Sequence, residues 1–197
     1  MNIYTILFVT FFSISSIVHS EENDYYFGLG ATTGSSSLEA SAAAGGFTVS
    51  GSVDYDTSST PIKIGRIMKN NNRLELSYQS VKGSSGTIAQ EKFSDINIDY
   101  KMFSKKPIVG SFGPYAVAGV GFYEWKNTAQ YFTGNDDLNG IGWNFGVGGV
   151  YGLSKNLEIE TTVQYKGIEW EDIVASGVTV DLDSSGTELY FGLNYKL

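Results

Sequence analysis

The sequence has no cysteine, three prolines, one histidine and few charged residues for its length of 197 residues. Without cysteine it can form no disulfide, no thiolate metal site and no lipid-modified N-terminal cysteine. Charged residues make up 17% of the chain and carry a net charge of -8, which argues against nucleic acid as a partner. The chain is instead rich in glycine (24 residues) and aromatic side chains (14%), a composition that favours strands and turns.

Residues 1–20 have the pattern of a secretory signal peptide. An apolar core at 6–12 is followed by Val18, His19 and Ser20, which are compact enough for cleavage before Glu21. An uncleaved anchor helix is the alternative, but serines interrupt the apolar run. We therefore predict export and a single mature domain, 21–197, which contains no histidine.

The stretch 140–165 consists of two alternating runs that meet at a polar turn, 153–156. In the first run Trp143, Phe145 and Val147 face away from a row of glycines, and in the second Leu157 and Ile159 oppose Glu158 and Glu160. Successive strand side chains face opposite sides, so this pattern predicts a hairpin with one apolar and one polar face. Runs of about ten residues exceed the usual strand length of about five or six and are typical of membrane-spanning barrel strands.

The same pattern predicts an all-β fold, an eight-stranded antiparallel up-and-down transmembrane β-barrel. The predicted strands are 25–33, 61–69, 73–82, 92–103, 113–126, the two arms of 140–165, and 187–197. Short connections and both termini then lie on the periplasmic side, and the long connections 34–60, 83–91, 127–139 and 169–186 lie outside. The Ser/Ala/Gly-rich segment 34–60 is either a mobile loop or an extension of a hairpin.

Charged residues on the polar strand faces are predicted to point into the lumen: Lys63, Arg73, Glu75, Asp95, Asp99, Lys101, Glu158, Glu160, Lys166, Glu188 and Lys196. An eight-stranded barrel is just wide enough for side chains to fill, so these charges should pair across the interior. A static polar core and a gated path both remain open. We expect Arg at Leu76 or Ile159 to block membrane assembly and Glu160→Gln to be tolerated.

Aromatic residues near the strand ends are candidates for the girdles at the membrane surfaces: Tyr25, Trp125, Trp143, Tyr151, Tyr165 and Tyr195. Arg66 breaks the apolar alternation that Ile62 and Ile64 establish. It either extends to lipid headgroups or is moved out of phase by a bulge at Gly65.

Three segments carry a family resemblance: PYAVAGVGFY (114–123), GVGGVYGLSKNLEIETTVQY (146–165) and LYFGLNYKL (189–197). They resemble the eight-stranded outer-membrane barrels of the OmpA-like, opacity-protein-like superfamily, here as a barrel without a peptidoglycan-binding domain. The resemblance implies the outer membrane of a Gram-negative bacterium, contact with lipid and lipopolysaccharide, and recognition of the last strand by the barrel assembly machinery. The family usually closes with an aromatic residue, where this chain has Leu197. For Glu75, Lys101, Glu158 and Lys196 the resemblance implies a salt-bridge plug that could open as a gate.

These observations predict a non-enzymatic barrel that contributes to outer-membrane integrity and displays surface loops for adhesion. The alternatives are a small gated channel for ions or hydrophobic solutes, and a soluble lipocalin-like carrier with its apolar faces inward. No cofactor is expected, and barrel enzymes of this kind rely on a histidine that the mature chain lacks. We expect a monomer, with divalent cations as possible partners of loop acids: Asp54, Asp56, Asp136, Asp137, Glu169, Glu171, Asp172, Asp181 and Asp183.

Overall fold

The computed structural model describes residues 25–44, 46–85, 88–126, 137–175 and 178–197, and its strands form one antiparallel sheet. The predicted signal peptide and residues 127–136 of the third long connection, including Asp136, lie outside these residues. The strands are β1 (Tyr25–Ala44), β2 (Phe47–Ser59), β3 (Ile62–Ile67), β4 (Arg73–Ser85), β5 (Ile88–Phe103), β6 (Phe112–Lys126), β7 (Leu138–Gly152), β8 (Leu157–Trp170), β9 (Ile173–Ala175) and β10 (Val178–Lys196).

The sheet closes into a barrel because β1 pairs with β10. β2 and β3 lie end to end between β1 and β4, and together they form one barrel strand that is interrupted at Thr60 and Pro61. Proline has no N–H for a ladder bond, so an interruption is its expected position. β9 pairs with β10 alone. The wall therefore has eight strands, which confirms the predicted fold class.

The strands are tilted, as closure of a barrel requires. Paired residues can be followed from strand to strand around the barrel. Starting from Tyr26, the path crosses Glu75, Asn144 and Gly186 and returns to β1 at Ser36, ten residues beyond its start. Because of this offset, the height of a side chain along the barrel axis depends on its strand as well as its residue number.

The two ends of the barrel differ in their connections. The end at which β1 begins and β10 ends, called the terminal end below, has three short connections, 68–72, 104–111 and 153–156. There Leu197 N donates to Tyr25 O at 2.9 Å. In the first of these turns Asn71 adopts a φ of 66°, a left-handed conformation that asparagine tolerates better than most residues.

At the opposite end, called the hairpin end, paired strands extend further than the sequence predicted. β1 runs to Ala44 and β2 returns from Phe47, so 34–60 is a hairpin extension rather than a loop. The predicted loop 169–186 is also mostly strand, because β8 continues to Trp170 and β10 begins at Val178. The second of the two interpretations of 34–60, an extension of a hairpin, is therefore the one observed, whereas the predicted bounds of the loop 169–186 were wrong.

Side chains alternate between an apolar outside and a polar inside over the band of the barrel next to the terminal end. The outside exposes large apolar side chains on every barrel strand, among them Leu29, Ile64, Leu74, Met102, Phe122, Phe145, Val163 and Leu193. An apolar band that encircles a barrel requires lipid as its solvent. The inverted arrangement that a lipocalin-like carrier needs is not the one observed. No helix among the described residues is long and apolar enough to cross a membrane.

Candidate functional site

All eleven charged residues that the alternation assigns to the lumen face the interior. Nine of them are buried, and Lys166 and Lys196 are half-buried. Their side chains separate into three groups along the barrel axis rather than one continuous network. We name these groups, from the terminal end outward, the terminal cluster, the central cluster and the outer polar layer.

The central cluster contains two acids and two bases that alternate around the lumen. Lys63 Nζ lies 2.6 Å from Glu160 and 3.3 Å from Glu75, and Lys101 Nζ lies 2.5 Å from Glu160 and 2.8 Å from Glu75. The four side chains are 1–4% exposed, so each charge depends on its partners for solvation. The cluster is neutral as a whole and contains no free carboxylate.

Neutral side chains complete the hydrogen bonding of the central cluster. Tyr26 Oη donates to Glu75 at 2.7 Å, and Asn194 Nδ2 donates to Glu160 at 2.7 Å. Tyr115 Oη donates to Glu160 and hydrogen-bonds the Thr162 hydroxyl. Alternation along β1 and β10 puts Tyr26 and Asn194 on the polar face, but the sequence analysis did not include them among the site residues. Tyr115 was missed because small residues left the facing of its strand ambiguous.

The terminal cluster centres on Glu158, which is fully buried. Arg73 donates to both carboxylate oxygens, with distances of 2.8 and 3.0 Å, and Lys196 Nζ approaches Glu158 Oε1 at 2.7 Å. The Arg73 guanidinium also lies over the rings of Tyr26 and Phe103, 5.0 and 4.8 Å from their centroids. Bidentate pairing and ring contact together fix a planar cation in one orientation.

The outer polar layer holds the remaining four charged residues, and it pairs them less completely. Asp95 accepts from Gln79 Nε2 at 2.8 Å and from Asn97 Nδ2 at 2.6 Å. Asp99 accepts from Asn144 Nδ2 at 2.9 Å, and Glu188 pairs with Lys166 at 3.0 Å. Among the described residues Asp95 and Asp99 thus have amide partners rather than cationic ones.

The predicted plug of four residues is divided between two groups. Glu75 and Lys101 meet directly in the central cluster, and Glu158 and Lys196 meet in the terminal cluster. Arg73, Lys63 and Glu160 complete the two groups. Both clusters lie near the terminal end, so the interior of that half is occupied by paired side chains.

Glycines on β7 make room for the rings that fill the interior. A Cβ at Gly148 would lie 2.7 Å from the ring of Tyr115, and one at Gly142 would lie 2.7 Å from the ring of Tyr123. Only glycine permits this approach, since contacts this short are not tolerated. The glycine face of β7 therefore faces the lumen, and Val150 on that face is fully buried.

Five of the six girdle candidates face outward: Tyr25, Trp143, Tyr151, Tyr165 and Tyr195. Trp143 stacks on Phe145 with ring centroids 5.6 Å apart, and both rings lie 5.8 Å from Tyr165.

The girdle prediction is wrong for Trp125, whose side chain is 5% exposed. It points into the barrel near the hairpin end and packs against Trp170 and Phe93. The inward position follows from the phase of β6, in which Tyr115, Val117 and Tyr123 are also buried.

Arg66 remains on the outer face, because neither strand pairing of β3 shows a register shift at Gly65. Its guanidinium lies over the ring of Tyr25, 5.7 Å from the centroid, next to the terminal end. This position agrees with the first of the two sequence interpretations, a side chain at the membrane surface.

Neither a catalytic pair nor a metal site emerges from these contacts. Glu158 and Glu160, the two neighbouring acids of β8, are each held by two basic side chains. Within the described ranges no group of acids or histidines is arranged to hold a metal ion.

Comparison with known proteins gives the same architecture. Residues 4–196 match a family model described as outer membrane protein beta-barrel domain. No curated protein matches the sequence. The fold is similar to that of the Neisserial surface protein A, with 15% identity, a TM-score of 0.54, and 90% of this chain and 100% of that chain covered. It is also similar to OprG of Pseudomonas aeruginosa, with 14% identity, a TM-score of 0.54, and coverage of 89% and 97%.

A third solved structure, OprH of P. aeruginosa, is 17% identical with a TM-score of 0.51, and the match covers 85% of this chain and 99% of that one. At these identities the likeness shows the fold alone. The family model, which spans nearly the whole sequence, shows more: the chain belongs to the outer-membrane β-barrel protein family, whose place is the Gram-negative outer membrane.

Proposed function

We propose that this protein is a closed, non-enzymatic barrel that reinforces the outer membrane and presents its long hairpins at the cell surface for adhesion. The observation that carries the proposal is the contrast between the two ends. The terminal half of the lumen is filled by two ion-paired clusters, whereas the strands at the hairpin end continue as a paired sheet beyond the apolar band.

The ion pairs argue against steady conduction. A path through the barrel has to separate the Lys101–Glu75 and Lys63–Glu160 pairs, whose side chains are almost fully buried. Breaking one buried pair costs about 3–5 kcal/mol, so an open lumen would be populated at no more than about one part in two hundred to one in five thousand. A gated channel, the second candidate function, requires a signal that supplies this energy.

The hairpins supply the surface for contact. On β1 the apolar band of the outer face ends at Ala31, and the same face continues with Thr, Ser and Glu39 as far as Ala43. At about 3.3 Å per residue this extension is roughly 40 Å long measured along the strand. One of the structural relatives is named a surface protein. Lipopolysaccharide is the expected neighbour at the base of the hairpins, and the barrel is expected to act as a monomer after signal-peptide export and insertion by the assembly machinery.

Two measurements on one set of strains test this proposal. The gene is deleted and restored either intact or with residues 38–53 replaced by a two-residue turn, and the cells are tested for detergent sensitivity and for binding to host-cell matrix. The shortened barrel should restore detergent resistance but not binding. Purified intact protein should give no sustained conductance in planar bilayers. Steady conductance, or full binding by the shortened barrel, would overturn the proposal.

A further inference from the structure

A cavity lies inside the barrel between the outer polar layer and an aromatic layer near the hairpin end. We call it the outer chamber. It is partly open to solvent. Its walls include Tyr55, Phe93 and Trp170, and its floor includes Asp95, Lys166 and Glu188. Small-molecule sites combine these two features, mostly apolar walls and a few convergent polar groups.

The aromatic walls are held in place by contacts with one another. Phe93 stacks on Tyr55 with ring centroids 5.8 Å apart and lies 6.0 Å from Trp170. Trp170 is fixed further by its Nε1, which donates to Ser184 Oγ at 2.8 Å. Tyr123, also in the wall, meets Trp170 edge to face and donates its hydroxyl hydrogen to Asn97. The rings of the walls are therefore held in fixed orientations by their neighbours.

Charge is distributed unevenly along the lumen. The terminal and central clusters contain four bases (Lys63, Arg73, Lys101 and Lys196) and three acids (Glu75, Glu158 and Glu160). The outer polar layer contains three acids, Asp95, Asp99 and Glu188, and a single base, Lys166. The lumen charges nearly cancel in total, but the part that forms the chamber floor has an excess of negative charge.

The single base of the floor is already engaged. Lys166 Nζ donates to Glu188 at 3.0 Å, and the other oxygen of Glu188 accepts from Gln164 at 2.9 Å. Within the part of the chain that the structure describes, the donors to Asp95 are both amides. A carboxylate entering the chamber would meet two acids, Asp95 and Glu188, and one paired ammonium, whereas a cation would find in Asp95 a buried carboxylate that forms no ion pair with a described residue.

From this geometry we propose that the outer chamber binds a small organic cation, a protonated primary amine carried on an aromatic body. The ammonium group would lie against Asp95 and Glu188, where its hydrogen bonds are charge-assisted. The aromatic body would pack against Phe93 and Trp170, and the same rings favour a nearby positive charge through their π faces. This site is separate from the surface contacts proposed above for the hairpins.

Three ligands of the same shape test the proposal: tyramine, the neutral 4-propylphenol, and the anionic 3-(4-hydroxyphenyl)propanoate. Each is titrated calorimetrically into the refolded full-length mature protein in detergent micelles, with empty micelles as the reference. Tyramine should bind at least about tenfold more tightly than 4-propylphenol, and the anion should be weakest. Equal affinities for the cation and the neutral molecule, or no tyramine binding at millimolar concentration, would overturn the proposal.

The position of the ligand is tested with tryptophan fluorescence in a Trp143→Phe background, where emission comes from Trp125 and Trp170 on the inside. Tyramine should change this emission with the same affinity that calorimetry gives. An unchanged emission at saturating tyramine would place the ligand elsewhere and would contradict the proposal.

Two matched substitutions locate the charge that is recognised. Asp95→Asn should lower the affinity for tyramine by about tenfold or more and leave 4-propylphenol unchanged. Asp99→Asn removes the same charge from a lumen acid that does not line the chamber, and it should change the affinity by less than about threefold. Equal losses in both variants would refute specific recognition. The three-ligand comparison decides the proposal even if Asp95→Asn does not fold.

Discussion

Glu160 accepts hydrogen bonds from four side chains, Lys63, Lys101, Tyr115 and Asn194. Buried at 1% exposure, it compensates two ammonium groups that have no access to water. The sequence suggested that Gln would be tolerated here, because alternation identifies the face of a residue but not the number of its partners. The contacts change that expectation.

We expect Glu160→Gln to lower the free energy of unfolding by about 3 kcal/mol, since removing one member of a buried pair leaves the other charge uncompensated. Urea titration in lipid vesicles, followed by the gel-mobility difference between folded and unfolded barrel, measures this change. Glu169→Gln is the matched control, because Glu169 lies exposed on the same strand and should shift stability by less than about 0.5 kcal/mol. Equal stability of the two variants would contradict the central role of Glu160.

The three tryptophans should respond differently to lipid. Trp143 is 49% exposed on the outside, whereas Trp125 and Trp170 are 5% and 4% exposed on the inside. Lipids brominated on their acyl chains should therefore quench wild-type emission, and Trp143→Phe should remove most of that quenching. Trp125→Phe should leave it intact. Quenching that disappears with Trp125 instead would restore the original girdle assignment.

At the scale of the element, the hairpins at the hairpin end are where prediction from the sequence was weakest. β1 beyond Thr33 consists mostly of Ser, Ala and Gly. In β2 the alternation from Phe47 to Tyr55 falls in a stretch that is mostly exposed on both faces, so neither segment has the pattern of a strand with one buried face. Their ladders depend on neighbours far away in sequence, such as Ala43 with Thr179, which no local pattern specifies. Strands with an apolar and a charged face, such as β8, were assigned correctly because both faces are visible in the sequence.

β6 illustrates a second limit, the ambiguity of small residues. Ala116 and Ala118 face outward while Gly119 and Gly121 face inward, and none of them identifies a face by its polarity. Which residues of β6 face the lumen is determined by Tyr115, whose ring fits only over Gly148 on the neighbouring strand. Because that contact is between strands, the inward position of Trp125 could not be obtained from β6 alone.

The hairpin that carries β9 should be sensitive to pH. The pKa of Asp172 is raised because its carboxyl group hydrogen-bonds the carboxyl group of Asp181 and lies near its charge. The folded hairpin then holds a proton that the unfolded hairpin releases. The contribution of the Asp172 carboxyl group to the stability of the hairpin is complete below the ordinary aspartate pKa. It is lost as the pH rises through the raised pKa of the folded hairpin. Amide exchange of Ile173 and Val174, corrected for its intrinsic rate, should therefore accelerate across this window.

The pH effect depends on one carboxyl pair and is easily removed. Asp172→Asn should make the corrected exchange of the β9 amides independent of pH over the same range. Asp54→Asn, on β2 of the other long hairpin, should leave the dependence unchanged. A pH dependence that survives Asp172→Asn would assign it to other acids of the hairpin.

For the whole molecule, the apolar band should behave as a lipid-facing surface whose tolerance of charge depends on depth. Val163 and Ile159 lie on the outer face of β8, four residues apart. Ile159 is in register with Tyr151 of the aromatic girdle at the terminal end, whereas Val163 is in register with Val147 and Leu189, well inside the band. A charge at the middle of a bilayer costs more than one near its surface, where the side chain can extend to headgroups.

We therefore expect Val163→Arg to reduce the free energy of unfolding in vesicles by about 2–4 kcal/mol and Ile159→Arg by about 0–1 kcal/mol. For Ile159 this replaces the sequence-based expectation, which treated outward positions alike and had Ile159→Arg block membrane assembly. Leu76, in register with Ile64 and Ile98, stays among the costly positions. The measurement is urea unfolding after refolding in vesicles, with Val163→Ala as the control for lost side-chain contact. If both arginines cost the same, the register-based depth would be wrong. If neither costs anything, the outer surface would not be in lipid at all.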